Sequence, residues 1–357
     1  MHRTALMTAV AAAAALATTT GAMATASTAT APRPAPATVL ARGLVSPLST
    51  AVAPNGTAYI SENFAGMLVK KVPGKRLRTL YRAPKGTEVG GVSLRRGVVT
   101  FTKTGRQKTL NRISPSGRVT RVANVGAFEA NHNPDAHVVY GFRHISEACA
   151  AQVPEEFGPA KYHGLVDSHP YGTTRVGRAT YVAEAAGNDI LKVARGRIST
   201  LAVLPPVKVH VTPEAAQATG MPACVVGLDY WFEPVPTDVE RGPGRNLYVS
   251  TLTGGPEDGS LGALSRLYRV NRSSGAVHLV AEGLAGATGV AVAPDGDAYV
   301  AELYGGRIEK VAAGTSHATP VRGALQPAAI EYVRGHLYAT THVLSDPPAG
   351  RLIRFRP

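Results

Sequence analysis

Histidines and carboxylates are concentrated in one stretch of the chain, residues 127–171. Imidazole and carboxylate groups gathered in this way can hold a divalent metal or act as general acid and base. No two of the histidines show the i, i+4 spacing of a helical zinc motif such as HExxH, so hydrogen bonding to loop backbone is the alternative. The five histidines and two aspartates are His132, His137, His144, His163, His169, Asp135 and Asp167, and Glu184 follows shortly after them.

Three glutamates, Glu62, Glu184 and Glu302, each follow a tyrosine by three residues within a similar short run. Equivalent positions in a repeat would bring these carboxylates to equivalent places in the fold. There they could surround a channel mouth and bind a ligand or cation. Alternatively, each could accept hydrogen bonds from loop amides within its own repeat.

Asp238 breaks the same repeat with a charge, because two other repeats have Ser49 and Gly289 at the corresponding position. A carboxylate that the repeat pattern does not require favours ligand contact. The candidate ligand-binding residues are therefore Asp238, Asp167, His169, Glu184, Glu62 and Glu302, and no catalytic or metal-ligating residue is assigned.

The chain has two cysteines, Cys149 and Cys224, which lie outside any CxxC or metal-binding spacing. In an exported protein two cysteines suggest one disulfide. Such a bond would close a loop of about 75 residues and stabilise the fold by roughly 4 kcal/mol in chain-entropy models. Two free, buried thiols are the alternative.

An internal repeat predicts the elements that position these residues. The run 51–62 recurs as 291–302 at an offset of 240, and each copy has an apolar strand, a Pro-Asn-Gly or Pro-Asp-Gly turn and an alternating strand. Short strands with regular turns and a repeat near 40 residues predict an all-β, six-bladed β-propeller of the NHL/SMP-30-like type. A β-sandwich does not explain the repeat. Weaker copies lie at residues 97–100, 181–184, 247–250 and 337–340.

The two ends of the chain predict how the ring closes. Residues 352–356 read as only the third strand of the last blade, whereas residues 39–42 resemble the fourth-strand run at 279–282. We therefore expect an N-terminal strand to complete the C-terminal blade and remove two exposed sheet edges.

Residues 1–26 have the composition of a secretory signal, with His2 and Arg3 before an Ala-rich apolar run. A buried Ala-rich helix is the alternative. Residues 27–37, rich in Thr, Ala and Pro, read as a disordered spacer, and residues 38–357 as the propeller domain. No later stretch reaches the roughly 18 apolar residues that span a membrane. The sequence predicts a secreted protein without a transmembrane segment.

The propeller topology places the longest loops on one face, because loops between second and third strands share a face with those between blades. The two large insertions, 127–171 and 205–236, and the smaller loops 251–263 and 341–350 belong there. Short helices are expected near residues 146–152 and 212–220, and a Cys149–Cys224 bond would tie the two insertions together. Long loops on a rigid scaffold indicate the functional surface.

The formal net charge is +14, yet basic residues are dispersed and aromatic residues make up only 6% of the chain. Nucleic acid is therefore not an expected partner, since stacking platforms require aromatic side chains. A basic surface on an exported, monomeric protein favours a small molecule or an anionic envelope polymer as partner. Alternatively, the basic surface serves only to keep the protein in solution.

Ten further runs have a characteristic sequence: EVGGV (88–92), NPD (133–135), CAAQ (149–152), VDSHPY (166–171), AVLP (202–205), PACVVGL (222–228), FEPVPTDV (232–239), YVSTL (248–252), GGPED (254–258) and GVAVAP (289–294). These runs resemble the ScyD/ScyE family of exported NHL-like propellers, in an actinobacterial form. The resemblance covers nearly everything after residue 40, including the insertions, and implies an exported propeller fold. The family is named for members in gene clusters that make the pigment scytonemin, and the resemblance assigns a role to no residue.

Three functions fit this sequence. The first is a ligand- or polymer-binding scaffold that uses the insertion face. The second is a calcium-dependent lactonase or esterase, although its cation ring would align with Ser49, Tyr171, Asp238, Gly289 and Ala328, only one of which is a carboxylate. The third is a hydrolase built from Asp167, His169 and Glu184; there is no Gly-x-Ser-x-Gly elbow. We predict the binding protein, without a required cofactor, and keep the calcium-dependent enzyme as the alternative.

Overall fold

The computed structural model describes residues 36–357, so the predicted signal (1–26) and nearly all of the predicted spacer (27–37) lie outside the described residues. The first elements are β1 Thr38–Leu44, β2 Ser49–Val52, β3 Ala58–Glu62, β4 Met67–Lys71, β5 Arg78–Arg82, β6 Glu88–Arg95, β7 Val98–Thr104, β8 Thr109–Ile113, β9 Val119–Asn124, α1 Val125–His132, β10 Val139–Phe142, α2 Glu147–Ala150, a 3₁₀ turn Glu155–Phe157, β11 Lys161–His163, β12 Pro170–Val176, β13 Ala179–Glu184, β14 Asp189–Ala194 and β15 Arg197–Val203. The remaining elements are β16 Val207–His210, α3 Pro213–Thr219, a 3₁₀ turn Ala223–Val225, β17 Asp229–Phe232, β18 Pro236–Arg241, β19 Asn246–Thr251, β20 Ser265–Asn271, β21 Val277–Leu284, β22 Ala287–Val292, β23 Ala298–Glu302, β24 Arg307–Val311, β25 Ala318–Gly323, β26 Ile330–Val333, β27 His336–Thr341 and β28 Gly350–Phe355.

Six of the four-stranded sheets repeat one pattern, in which the strands pair with their neighbours as antiparallel meanders. In chain order these blades are β2–β5, β6–β9, β12–β15, β18–β21, β22–β25, and β26–β28 completed by β1. The first strand of each blade contacts the first strand of the next, and β26 contacts β2, so the sheets form a closed ring. The all-β propeller class predicted from the repeat is confirmed.

The N-terminal strand closes the ring as predicted. Strand β1 pairs antiparallel with β28, with Thr38 opposite Arg354 and Leu44 opposite Gly350. Leu44 is fully buried in a cluster that also contains Ile60 and Leu352. The first and last segments of the described chain therefore share one sheet.

The core lies between neighbouring blades. Tyr181 and Ile190 of the third blade, for example, pack in one buried cluster with Val239 and Val249 of the fourth. Near the axis the inner strands approach so closely that a side chain is not tolerated. A Cβ atom added to Gly289 would lie 2.2 Å from the carbonyl oxygen of Ala328. Glycine is therefore required there for steric reasons.

The two large insertions pair with each other and form a seventh sheet, β11-β10-β17-β16, in which Gly141 lies opposite Trp231. A Cys149–Cys224 disulfide joins them, as the sequence predicted. We call residues 139–163 and 207–232 the canopy. Its buried core contains Phe142, Cys149, Ala216 and Val225.

The canopy helices begin and end for local reasons. The Thr212 side chain accepts a hydrogen bond from Ala215 N, Pro213 occupies the first turn, and Gly220 ends α3 with a φ of 70°. Ser146 caps the shorter helix α2 in the same way. Both helices were predicted, whereas α1 and the strand pairing between the insertions were not.

We predict that the ring fails without β1. Removal of residues 36–44 would leave the β28 edge unpaired and remove Leu44 from the core. A chain of residues 45–357 should aggregate or lose cooperative melting, whereas a chain of residues 36–357 should keep a single sharp transition. Calorimetry with light scattering provides the comparison. Equal melting of the two chains would contradict closure by β1.

A second prediction concerns Gly289. Gly289→Ala should lower the free energy of unfolding by about 2 kcal/mol or more, because the new methyl group would overlap Ala328 O. Gly323→Ala is the matched control, since that strand glycine has no atom within 4 Å of an added Cβ. Urea unfolding of both variants tests this. Equal free energies of unfolding for the two variants would show that the backbone at Ala328 can move to accommodate the new methyl group.

Candidate functional site

The loops that join second to third strands lie on the same face as the loops between blades, and backbone hydrogen bonds connect the two sets. Leu303 N donates to Gly286 O at 2.8 Å, and Ala185 N donates to His169 O at 3.0 Å. The canopy is attached to this face through Asp135, whose Oδ2 accepts from Asn188 Nδ2 in the β13–β14 loop and from Tyr140 Oη of β10, at 3.0 Å each. We call this side the insertion face. Both large insertions lie on it, as predicted.

The three repeat glutamates are buried at the ends of β3, β13 and β23, where each holds the loop that leads into its own blade. Val45 N donates to Glu62 Oε1 at 2.9 Å, and Ser168 Oγ donates to Glu184 Oε1 at 2.8 Å. Glu302 lies beside the backbone of Ala285 in the loop before β22, and Arg307 Nε lies 3.0 Å from its Oε2. Burial raises the pKa of all three carboxyls. These contacts match the loop-capping alternative, and ligand binding by the three glutamates stays a prediction.

Asp238 faces the central channel, where its carboxylate links two inner strands. Its Oδ1 accepts from Val239 N at 2.8 Å, and its Oδ2 accepts from Val290 N on β22 at 3.1 Å. Ser49 Oγ forms a similar link by accepting from Val92 N at 2.8 Å. The space between these strands holds about one water molecule. The arrangement can hold water or a small ion, but it is too narrow for an organic ligand.

Two further carboxylates, Glu240 and Glu331, line the same channel. Burial raises the pKa of Asp238 to about 6 and that of Glu240 to about 8, and it also raises the pKa of Glu331. Sequence reasoning missed both glutamates. Glu240 lies two residues after Asp238 on one strand, and this spacing places both side chains on the same side.

The predicted gathering of histidines does not form. His132, His137, His144 and His163 are exposed on separate parts of the first insertion. Of the five histidines in this insertion, only His169 lies beside a carboxylate, with its Nε2 3.1 Å from Glu88 Oε2. Burial alone would lower the pKa of His169, but the contact with Glu88 raises it overall. Within residues 36–357, no group of three or more His, Cys, Asp or Glu side chains stands, in the observed rotamers, so that it could hold a metal ion.

A cluster of carboxylates lies between α1 and the third blade. It contains Asp135 and Glu184, which the sequence analysis singled out, and Glu129 and Asp189, which it missed. All four side chains are buried. Burial and mutual repulsion raise the pKa of Glu129 to about 7 and raise that of Asp189 as well. The sequence could have indicated Asp189, because it follows Glu184 across a short turn between two strands. It therefore lies opposite Glu184 in the sheet.

An open cleft of about 320 Å³ lies beside this cluster, between the β7–β8 loop, α1 and residues 166–168. Arg106 and Lys108 lie on one side, and Asp167 and Ser168 on the other. Glu129 reaches the cleft from α1. Of the predicted site residues, Asp167 lines the cleft, whereas His169 and Glu184 lie behind it.

Exposed apolar side chains are frequent on the insertion face. Five large ones belong to its loops between strands or between blades. Their exposed fractions are 62% for Phe64, 61% for Leu165, 60% for Val166, 59% for Leu325 and 43% for Leu344. In the described part of the chain, no helix has the length and apolar content needed to cross a membrane.

The channel carboxylates predict a pH dependence of stability. Folding raises the pKa of Glu240 from 4.5 to about 8, so between these values the native state holds more protons than the unfolded chain. Stability should therefore fall as pH rises through this window. Glu240→Gln should flatten the decrease in Tm and raise Tm at pH 8 by a few degrees.

Scanning calorimetry between about pH 5 and 8 provides the measurement. The control is Glu282→Gln, because Glu282 is exposed and paired with Arg266 at 3.2 Å. That control should show the parental slope. An unchanged slope in Glu240→Gln would exclude the raised pKa.

Solved structures with a similar fold are enzymes and binding proteins of the propeller class. A PQQ-bound aldose sugar dehydrogenase from Streptomyces coelicolor has a TM-score of 0.55 at 13% identity, over 89% of this chain and 96% of that one. The calcium-binding protein regucalcin from Agrobacterium tumefaciens has a TM-score of 0.53 at 13% identity, over 89% and 92%. A gluconolactonase from Xanthomonas campestris has a TM-score of 0.53 at 10% identity, over 88% of each chain. No protein-family model matches the sequence, and no curated protein is similar enough to indicate a family. The likeness at this identity is one of fold: the chain is similar to SMP-30, gluconolactonase and related propellers.

Proposed function

We propose that this protein is an exported binding protein that holds its ligand on the insertion face, in the cleft between the β7–β8 loop and α1. The observation that carries the proposal is the cleft itself, in which cationic, hydrogen-bonding and apolar side chains meet on a rigid support. The disulfide between Cys149 and Cys224 fits an exported protein, because such bonds persist in oxidising compartments. Membership of the ScyD/ScyE family is part of this proposal.

The lining of the cleft indicates the chemistry of the ligand. Arg106 and Lys108 offer positive charge, and Asn124 and the exposed Asp167 opposite them offer hydrogen bonds, Asp167 as an acceptor for ligand hydroxyl groups. Val166 adds apolar surface and is 60% exposed. An anionic group that carries hydroxyl or sugar substituents satisfies all three features. The overall charge of +14 favours the approach of a polyanion.

The cleft is also held in place by backbone contacts. Val125 N, at the start of α1, donates to Lys108 O at 2.9 Å. The Asn124 side chain caps α1 by accepting from Ala127 N at 3.1 Å. The two sides of the cleft are thus fixed relative to each other before a ligand arrives, which reduces the entropic cost of binding.

A lactonase or esterase in the central channel is the second candidate. Asp238, Glu240 and Glu331 place three carboxylates there, and a gluconolactonase shares the fold. Two observations weigh against it. Both oxygens of Asp238 already accept backbone hydrogen bonds, and the free space is close to that of one water molecule. A substrate carbonyl therefore has no room beside these groups.

The binding proposal is tested with two soluble polyanions, poly(glycerol phosphate) and polygalacturonate. Arg106→Glu combined with Lys108→Glu should weaken binding of the preferred polyanion at least tenfold, which corresponds to about 1.4 kcal/mol. Isothermal titration at physiological salt gives the affinities. Arg76→Glu combined with Arg78→Glu is the matched control, because it makes the same charge change in the β4–β5 region and should alter binding less than twofold.

Equal losses in the two double variants would show that only net charge matters and would contradict a site in the cleft. Lactone and ester hydrolysis is measured in parallel, with and without chelator. Turnover that Asp238→Asn abolishes would favour the second candidate instead.

A further inference from the structure

Four carboxylates are enclosed where the first insertion meets the third blade. Glu129 lies on α1, Asp135 follows α1, Glu184 ends β13, and Asp189 begins β14. Glu129 is 1% exposed and the other three are 0% exposed. We call these four residues the acidic cluster. Their burial is unusual, because unpaired carboxylates are strongly disfavoured away from water.

Most oxygens of the acidic cluster have no partner in the protein. Both carboxylate oxygens of Glu129, both of Asp189 and Oδ1 of Asp135 make no hydrogen bond. Asp135 Oδ2, in contrast, accepts from Tyr140 and Asn188 at 3.0 Å each. The hydrogen bonds therefore orient the cluster and leave five buried oxygens without a partner.

The charges that act most strongly on Glu129 and Asp189 are those of other carboxylates. Glu184 has one positive neighbour, His169. Removal of one partner from a buried ion pair is strongly destabilising, and here the partner is missing from the outset. A positive species from solution is needed for the cluster to be ionised.

The repeat supplies an internal comparison. Glu302 is the equivalent of Glu184 in the fifth blade, and its partner across the β23–β24 pair is Arg307, whose Nε lies 3.0 Å from Glu302 Oε2. In the third blade the partner of Glu184 across the β13–β14 pair is Asp189. The repeat glutamate is thus neutralised by an arginine in the fifth blade, whereas in the third blade it lies opposite a second carboxylate.

Two glycines provide room for the cluster. A Cβ atom on Gly187 would lie 3.0 Å from Glu184 Oε2 and 3.1 Å from Glu129 Oε2, so the two oxygens flank this residue. A Cβ atom on Gly164 would lie 2.1 Å from Asp135 Oδ1. Side chains at these positions would fill the space toward which the carboxylates point.

We propose that the acidic cluster binds one divalent cation and that this cation is Ca²⁺. All available donors are carboxylate oxygens, which suit a hard cation and not Zn²⁺. The cluster offers the five free oxygens as donors, because Glu184 Oε2 already accepts from Gly187 N at 2.5 Å. Ca²⁺ accepts six to eight oxygens, including waters and bidentate carboxylates, in flexible geometry. Mg²⁺ retains several waters and demands an octahedron, which fits this enclosed set less well.

The bound ion joins parts of the chain that the backbone does not. Small side-chain rotations close the four carboxylates around it, and this fixes α1 and the first insertion to the β13–β14 turn. Ions enter through the cleft, because Glu129 lines it. The site is separate from the channel of Asp238, and it does not depend on the proposed function.

The first experiment uses the mature protein after treatment with chelator. Addition of Ca²⁺ at a hundredfold excess over its Kd should raise Tm by on the order of 5 °C, and Mg²⁺ should give a much smaller rise. Terbium luminescence and elemental analysis of untreated protein should each give one ion per chain. Absence of stoichiometric Ca²⁺ together with no Tm response would overturn the proposal.

Glu129→Gln and Asp189→Asn separate cation binding from simple protonation of the cluster. If Ca²⁺ neutralises the acids, both variants lose the Ca²⁺-dependent rise in Tm and bind terbium at least tenfold more weakly. Glu302→Gln is the matched control and should keep the full response, because Arg307 occupies the place of the ion. If protons neutralise the acids, Asp189→Asn raises Tm equally with and without Ca²⁺, and the proposal fails.

Discussion

The pairing of β1 with β28 is the constraint on which the rest of the structure depends. Each blade buries its faces only against two neighbours, so the ring is complete only when the last sheet has all of its strands. Leu44, at the end of β1, is fully buried where the first and last blades meet. Closure also crowds the axis, where Gly289 passes against Ala328 O. Because the channel is so narrow, a surface for an organic ligand must lie on the rim.

The rim is organised by pairing between segments that are distant in sequence. Strands β10 and β17 come from different insertions, yet they form one sheet, and the Cys149–Cys224 bond joins the same two segments. Asn188 connects both insertions to the third blade, because it donates to Asp135 and accepts from Val235 N. Long loops thereby become a rigid surface. That rigidity is what allows a shallow, polar cleft to be selective.

Equivalent positions of the repeat differ in the residues that lie beside them. Glu62, Glu184 and Glu302 all hold the loop that leads into their own blade, so the shared backbone role explains why the residue recurs. Their cross-strand partners are Met67, Asp189 and Arg307. One position is thus beside an apolar residue, one beside a like charge and one in an ion pair. A structural repeat can in this way acquire a cation site without a change in its backbone.

The sequence alone determined the propeller class, the closing strand and the two capped helices. These features follow from local signals: an alternating strand pattern with Gly turns, and Thr212 and Gly220 at the ends of a helix. It also placed Asp135, Asp167 and Glu184 near one another. Only the tertiary structure showed that the histidines of the first insertion point apart and that Glu129 and Asp189 complete the acidic cluster. It also paired β10 with β17. Spacing along a chain does not determine which loop residues meet, because those contacts form between segments that fold against each other.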